Sequence, residues 1–194
     1  MRIVLLTLPF AAVLIGAPAT NAADVAAGKA KAELCSGCHG EDGISQTDLI
    51  PSLAGQPDQF VQWQLVFFRS GARKSEQMQP IVEQIDNDDI RNLGAYFASL
   101  TPPKATKPDD NPDLSQKGAQ AAVGRRCASC HTDTFAGTKA VARIAGQRED
   151  YLLKALREYK SGARQGYEPI MAEVLRPIDD AQFVEFAYYL PRLP

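Results

Sequence analysis

The feature that most constrains this chain of 194 residues is a five-residue pattern that occurs twice. It is Cys-Ser-Gly-Cys-His at 35–39 and Cys-Ala-Ser-Cys-His at 127–131, and the chain has no other cysteine or histidine. Two cysteines three positions apart can each bond one of the two vinyl groups of a haem, and the adjacent histidine then lies beneath the iron. The pattern therefore predicts two covalently bound haem c groups. Their predicted thiol attachments are Cys35, Cys38, Cys127 and Cys130, and the predicted histidine ligands of the irons are His39 and His131.

Three other interpretations of the pentads stay open. Four cysteines in an exported protein can form two disulfides, although this gives no reason for a histidine after each pair. A structural zinc ion needs four ligands close together, whereas the pentads are 92 residues apart in the chain. A redox-active dithiol of the thioredoxin type is expected in a βαβ context, and the flanking sequences here favour helices.

The first 23 residues have the three parts of a secretory signal peptide. Arg2 gives a positive start, residues 3–17 are apolar, and small residues at 19–23 fit a cleavage site. An uncleaved membrane anchor is the alternative, although Pro9 and Gly16 interrupt the apolar run. Because haem c is attached outside the cytoplasm, export agrees with the pentads and predicts a periplasmic protein in a Gram-negative bacterium.

An internal repeat organises the rest of the chain. Leu-Ala-Gly-Gln at 53–56 returns as Ile-Ala-Gly-Gln at 144–147, and Ser-Gly-Ala-Arg at 70–73 returns unchanged at 161–164. The proline-rich stretch between the copies favours an extended surface linker, since proline cannot continue a helix. The predicted segments are a signal peptide at 1–23, a first domain at 24–101, a linker at 102–112 and a second domain at 113–194.

Both copies are predicted to be all-α, because apolar residues recur at helical spacing and strand-like alternation is absent. In the first copy, Asp24 is expected to cap a helix that runs into Cys35, and Pro57 to lie in the first turn of the next. Asp86 or Asn87 is expected to cap a third helix. The matching helices of the second copy are predicted at 114–126, 148–160 and 179–190.

A glycine falls inside the first helix of each copy, where it costs about 1 kcal/mol relative to alanine. These residues are Gly28 and Gly118. Close crossing with the last helix of each copy, near Tyr96 and Tyr189, explains both glycines. Simple tolerance of glycine is the alternative.

The methionines other than the first residue are Met78 and Met171. They lie 39 residues after His39 and 40 residues after His131. Methionine usually fills a core, but matching positions in both copies favour thioether ligands on the second axial side of each iron. A thioether stabilises ferrous iron, so His/Met ligation raises the reduction potential and favours electron transfer over catalysis.

The charge distribution differs between the copies. Residues 24–101 carry six basic and eleven acidic residues, and residues 113–194 carry twelve and ten. The resulting dipole can orient docking with charged partners, or it reflects no more than two solvated surfaces. Nothing in this distribution is basic enough to indicate nucleic acid binding.

With Ala-Ala-Gly-Lys at 26–29, Cys-His-Gly at 38–40 and Ala-Tyr-Phe-Ala at 95–98, the chain resembles the dihaem cytochrome c4 family. The resemblance extends over essentially everything after the signal peptide. It implies two tandem class I cytochrome c domains, with their haems close across a pseudo-twofold interface. It also implies a periplasmic electron carrier, soluble or peripherally associated with the membrane. Its implied donor is a quinol-oxidising complex, and its implied acceptor is a haem–copper terminal oxidase.

The second copy departs from the pattern at the proximal histidine. Class I cytochromes carry a proline whose carbonyl orients that histidine, and Pro51 occupies this position in the first copy. Ala142 is aligned with it in the second copy. A weaker bond to His131 would make this histidine a poorer electron donor. The departure predicts different reduction potentials for the two irons.

Three further residues are candidates at the haem edges. Arg73 and Arg164 can pair with haem propionates, because a guanidinium binds a carboxylate in a fork, or they can be solvated arginines. Trp63 is expected to be a core aromatic, with contact to the first haem as the alternative.

The function favoured by these features is single-electron transfer between larger redox proteins, by a protein that is not itself an enzyme. A first alternative is the dihaem subunit of a flavocytochrome sulfide dehydrogenase, which accepts electrons from a flavoprotein subunit. A second is a dihaem enzyme such as a thiosulfate dehydrogenase, which would require an open or unusually ligated iron.

Overall fold

The computed structural model describes residues 22–105, 107–165 and 169–193. Helices carry the fold throughout these ranges, and backbone pairing of the β type is limited there to two isolated antiparallel bridges. The predicted all-α class is confirmed. The first part of the chain contains α1 Val25–Lys31, α2 Glu33–His39, α3 Asp58–Ser70, α4 Gln79–Val82 and α5 Asn87–Ser99. The second part contains α6 Pro112–Gly124, α7 Ala128–His131, α8 Glu149–Ser161, α9 Pro169–Leu175, α10 Asp180–Tyr189 and a 3₁₀ helix at Leu190–Arg192.

The helix starts follow the capping chemistry of the sequence. Asp24 Oδ1 accepts the amide hydrogens of Ala26 at 2.8 Å and Ala27 at 3.1 Å, as predicted for α1. At the start of α5, Asp86 and Asp89 form a reciprocal capping box. Side-chain caps therefore define where α1 and α5, the first and last helices of the first half, begin.

The equivalent helices α3 and α8 end in the same way. Gly71 and Gly162 both have φ 75°, the left-handed conformation that glycine adopts without steric cost. The repeated Ser-Gly-Ala-Arg block is thus a repeated helix stop, after which each guanidinium packs back on an aromatic ring of the helix that precedes it.

The first predicted helix is interrupted, and the reason is local. Ala32 lies between α1 and α2, and its carbonyl accepts from Cys35 at 2.9 Å in an i to i+3 bond before α2 continues. The sequence periodicity passes through this residue without a break, so the prediction of one continuous helix was wrong there.

The first and last helices of each half cross closely at a glycine. A Cβ at Gly28 of α1 would meet the Asn92 carbonyl and lie 2.8 Å from Tyr96 Cβ in α5. A Cβ at Gly118 of α6 would lie 2.5 Å from Tyr189 Cβ in α10. The close-crossing explanation of both glycines is confirmed.

Each half has its own apolar core. The first core draws mainly on α3 and α5, with Ala32 from the junction of α1 and α2, and the second draws mainly on α6, α8 and α10. The first consists of Ala32, Val61, Leu65, Phe68, Val82, Ile85, Ile90, Leu93, Tyr96 and Phe97. The second consists of Ala122, Phe135, Ala145, Leu152, Leu175, Ile178, Phe183, Phe186, Ala187 and Leu190.

The stretch between the halves is mostly exposed and contacts both of them. A Cβ at Gly55 would lie 2.5 Å from Pro102, and one at Gly146 would lie 2.5 Å from the Pro103 carbonyl. The extended part ends at Asn111, because Pro112 already belongs to the first turn of α6.

Residues 1–21 of the predicted signal peptide lie outside the described residues. Within the described ranges, no helix has the length and apolarity needed to cross a bilayer.

Candidate functional site

Both pentads fold as a short helical turn that buries its histidine. In α2, Cys35 is half-buried, Cys38 is exposed and His39 is only 6% exposed. The second pentad matches, with Cys127 half-buried, Cys130 exposed and His131 8% exposed. All four thiols are free, so the described structure gives no support to the disulfide interpretation.

The thiols also lack the features of a redox dithiol or a zinc site. Burial, and then the charge of Cys38, raises the pKa of the Cys35 thiol to about 11. A reactive dithiol needs the opposite shift. In the part of the chain that the structure describes, no three groups from His, Cys, Asp and Glu come together to hold a metal ion.

Both histidines use one ring nitrogen in a bond to a backbone carbonyl. His39 Nδ1 donates to the Pro51 carbonyl at 2.8 Å, and His131 Nδ1 donates to the Ala142 carbonyl at 2.8 Å. A carbonyl only accepts, so Nδ1 carries the hydrogen and Nε2 is the nitrogen available to a metal. Burial lowers the pKa of both imidazoles, which keeps them in the neutral form that a metal ligand requires.

The expected weakening at Ala142 does not occur, since the two donor–acceptor distances are equal. A proline is not needed because any residue supplies the carbonyl, and the loop holds Ala142 in the position of Pro51. This bond length therefore gives no reason for different potentials.

The two methionines lie at the edge of the core that also contacts the first cysteine of each pentad. Met78 directly precedes α4, and Met171 belongs to α9. Both are half-buried. In each half, the thioether and the first thiol of the pentad thus border the same core.

The surroundings of these groups fit a haem. Half-buried apolar side chains border each core, the thiol and the thioether among them, and a flat apolar macrocycle can cover them. In the first half they are Cys35, Leu53, Val66, Met78 and Leu100. In the second half they include Cys127, Ile144, Leu156, Tyr159 and Met171.

The repeated arginines are not solvated side chains. Arg73 is half-buried and Arg164 is 6% exposed, and they pair through an antiparallel backbone bridge between the halves. Both guanidiniums donate to Gln64 Oε1, at 2.7 and 3.0 Å, and to the Tyr151 hydroxyl, at 3.2 and 3.0 Å. The Nε of Arg164 is buried without a hydrogen-bond partner.

This cluster, the arginine junction of Gln64, Arg73, Tyr151 and Arg164, has a distinct electrostatic character. Burial raises the pKa of Tyr151, but the charges of Arg164 and Arg73 outweigh it, and the pKa falls to about 8. After burial, the charge of Arg73 is a further cause of the lowered pKa of His39. The junction therefore lies within electrostatic reach of the first histidine.

The glutamines of the repeated Ala-Gly-Gln blocks bond across the same junction between halves. Gln147 Oε1 accepts from the Ser52 amide at 2.8 Å, and its Nε2 donates to the Ser52 carbonyl at 2.9 Å. Gln56 forms the same pair with Arg143, at 3.0 and 2.8 Å. The contact is thus reciprocal, as expected for a pseudo-twofold interface.

Sequence reasoning missed most of this interface. The repetition of Gln56 and Gln147 was a usable signal, since an unchanged polar residue in an apolar block needs a partner. Gln64 and Tyr151 gave no such signal, because Ala155 and Phe60 stand at the matching positions of the other copies.

Trp63 is 39% exposed and stacks on Phe67 with ring centroids 5.7 Å apart. The expectation that it is a core aromatic was wrong. It projects from the outer side of α3, whereas Val61, Leu65 and Phe68 face the core.

Comparison with known proteins agrees with this geometry. A cytochrome c4 from Thiocapsa roseopersicina is 30% identical over 190 residues, which cover 91% of this chain and 96% of that relative. A thiosulfate dehydrogenase electron acceptor from Thiomonas intermedia is 29% identical over 211 residues, covering 100% of this chain and 92% of the relative. No family model matches the chain.

Reduced recombinant cytochrome c4 from Pseudomonas stutzeri has the same fold, with a TM-score of 0.79 at 25% identity. The alignment covers 89% of this chain and 100% of that one. The expected pair of tandem cytochrome c domains is thereby confirmed. The near full-length similarity agrees with the repeated pentads and the two buried histidines. The chain therefore belongs to the cytochrome c4 family, and it is a dihaem electron-transfer cytochrome with two covalently bound haem c groups.

Proposed function

We propose that this protein is a periplasmic electron carrier in which both irons are ligated by histidine and methionine. The domains would be residues 24–101 and 113–194, joined by the linker at 102–112. The observation that carries the proposal is the matched pair of 2.8 Å bonds from His39 and His131 to backbone carbonyls. These bonds place the hydrogen on Nδ1 and leave Nε2 directed away from the carbonyl, while burial keeps each imidazole neutral.

The remaining ligands follow from the same frame. Cys35 and Cys38 would attach the first haem, and Cys127 and Cys130 the second. Met78 and Met171 would each supply a thioether as the second protein ligand of the iron in its half. Haem c, when bound, supplies a one-electron couple at its iron. The protein orients the imidazole, excludes water from it and keeps it unprotonated.

The protein is proposed to act as a carrier and not as an enzyme. Two protein ligands on each iron leave no position for a small substrate. The buried ionisable groups of the arginine junction are engaged with each other, through Tyr151 and the two guanidiniums. This arrangement supports a structural role between the halves and supplies no free acid–base pair.

Export by a signal peptide at 1–23 is part of the proposal. It is supported by the sequence of that segment and by the attachment of haem c outside the cytoplasm. The proposed partners are a quinol-oxidising complex as donor and a haem–copper terminal oxidase as acceptor, with peripheral association to the membrane compatible with both.

A second candidate function is favoured by one relative. The Thiomonas intermedia protein covers the whole chain and is by its name an electron acceptor of thiosulfate dehydrogenase. A carrier that takes electrons from such a dehydrogenase, or from a flavoprotein subunit, has the same closed irons and differs only in its donor. Reduction of the protein by purified thiosulfate dehydrogenase with thiosulfate distinguishes this donor from a quinol-oxidising complex.

The experiment that tests the ligation is an optical spectrum of the oxidised protein, with the haem content measured per chain. Two haems and the weak far-red band of methionine bound to ferric iron are expected. The intensity of this band should be half that of the parent protein in each of the two single variants, Met78→Ala and Met171→Ala. A high-spin iron in the parent protein, or a band insensitive to either substitution, contradicts the proposal.

A further inference from the structure

One peptide unit in each half is bonded at both ends. The Pro51 carbonyl accepts from His39 Nδ1 at 2.8 Å. The amide of the same peptide bond belongs to Ser52, and it donates to Gln147 Oε1 at 2.8 Å. Because the peptide group is planar and conjugated, these two bonds act on one electronic unit. A continuous series of hydrogen bonds thus connects His39 in one half to Gln147 in the other.

The second half repeats the arrangement with its partners exchanged. The Ala142 carbonyl accepts from His131 Nδ1 at 2.8 Å. The amide of that peptide bond belongs to Arg143, and it donates to Gln56 Oε1 at 3.0 Å. Each histidine is therefore connected to the glutamine of the opposite half, and neither is connected to the glutamine of its own.

The orientation of the glutamine amides is fixed by their partners. A backbone amide can only donate and a backbone carbonyl can only accept, so the oxygen of Gln147 must face the Ser52 amide and its nitrogen the Ser52 carbonyl. The same holds for Gln56 and Arg143.

This series of hydrogen bonds is also shielded from water. Ser52 is 1% exposed, Gln56 and Gln147 are each 4% exposed, and Arg143 is 9% exposed. At low local dielectric, hydrogen bonds in series polarise one another, each strengthening its neighbour by roughly 10–30%. An acceptor on the amide hydrogen makes the carbonyl of the same peptide a stronger acceptor.

We propose that Gln147 and Gln56 act as positioning residues, each strengthening the histidine–carbonyl bond of the opposite half and so lowering the reduction potential of the iron bound there. A stronger bond at Nδ1 makes the imidazole more electron-donating, which stabilises ferric iron. The inference rests on the proposed function, because it takes His39 and His131 as iron ligands.

The test is a redox titration of the dihaem protein followed by proton NMR, which reports each haem separately. The signals are assigned through the axial methionine resonance that Met78→Ala or Met171→Ala removes. In Gln147→Leu, the potential of the first-half haem is expected to rise while that of the second-half haem stays. The ferric-to-ferrous equilibrium constant should change by up to about tenfold, and tenfold corresponds to about 59 mV for one electron.

Gln56→Leu must give the mirror result, a rise at the second-half haem alone. Gln64→Leu is the matched control, because it removes the same amide from the interface without touching either histidine-bonded peptide. This control is not expected to raise the potential of one haem selectively in the half opposite the substitution.

Three outcomes overturn the inference: unchanged potentials, a shift confined to the haem of the substituted half, or equal shifts of both haems in both variants. Equal shifts would mean that a loosened interface affects both irons alike. If a leucine variant does not fold, Gln147→Asn and Gln56→Asn provide the same test. The shorter asparagine side chain does not reach the peptide, and water can form the hydrogen bonds that its amide would otherwise lack. Failure of the proposed function is seen separately, as loss of the methionine–iron band in the parent protein.

Discussion

Arg73 and Arg164, which stand at equivalent positions of the two repeats, pair with each other across the junction between the halves. Two like charges meet there because the Tyr151 hydroxyl and the Gln64 amide oxygen each accept from both guanidiniums. The rings of Phe68 and Tyr159 lie under the guanidiniums, with the carbon of each 4.3 and 4.7 Å from a ring centroid. Neutral acceptors and aromatic faces thus offset the repulsion that buried like charges would otherwise suffer.

Removal of the Tyr151 hydroxyl should weaken this junction. Tyr151→Phe leaves two buried guanidinium hydrogens without an acceptor, so we expect a loss of about 1–3 kcal/mol in the free energy of unfolding. Urea unfolding at pH 7 measures it. Tyr159→Phe is the control, because it keeps the ring under Arg164 and lacks a hydroxyl in the junction. Equal losses in the two variants would show that the shared hydroxyl contributes nothing.

The stability of the protein should rise with pH between about 8 and 10 through Tyr151. Its pKa is about 8 in the folded protein and 10.0 is its ordinary value, so the unfolded chain binds more protons in this window. The contribution is absent below pH 8 and complete above pH 10, and is about 1–3 kcal/mol. The urea midpoints of the parent and of Tyr151→Phe are compared at each pH. Their difference separates the contribution of Tyr151 from that of the lysines, which both proteins share.

Absorbance of tyrosinate near pH 8–9 gives an independent reading of the same group. A tyrosine that ionises only above pH 10 contradicts the prediction. That result would indicate that a haem propionate shares the guanidiniums, since a nearby carboxylate raises the pKa of Tyr151.

The glycines at the helix crossings should not tolerate a methyl group. Gly118→Ala is expected to cost about 1–3 kcal/mol of stability, because its Cβ would lie 2.5 Å from Tyr189 Cβ. This outweighs the gain of about 1 kcal/mol in helix propensity. Gly124→Ala, in the same helix with nothing within 4 Å, is the matched control and should stabilise. Thermal unfolding compares them, and stabilisation by both substitutions would contradict the crossing argument.

Loss of one haem should destabilise one half more than the other. The double substitution Cys127→Ala and Cys130→Ala is expected to give one haem per chain. The half-buried apolar side chains of the second half then lose their cover, so its unfolding should separate as an earlier transition. Circular dichroism during denaturation detects it, and the pair Cys35→Ala and Cys38→Ala serves as the mirror variant. A single unchanged transition would show that haem adds no packing to the core.

Much of each half could be predicted from local sequence. Asp24 and Asp86 cap their helices through hydrogen bonds that span two or three residues, and the histidine follows the cysteines on the same helical turn. Such contacts are fixed by spacing along the chain. Trp63 was predicted incorrectly, because helical spacing gives the face of an aromatic residue only when the packed side of the helix is already known.

The sequence by itself determined the two haem c sites, the repeat and the all-α class, because short-range spacing carries each of these. Only the tertiary structure decided that Ala142 replaces a proline carbonyl without lengthening the bond to His131, and that the arginines face each other instead of water. It alone paired Gln147 with Ser52, 95 residues away, and Gln56 with Arg143, 87 residues away. These contacts depend on how two folded halves meet, and the free energy of that meeting comes from surfaces that exist only after each half has folded.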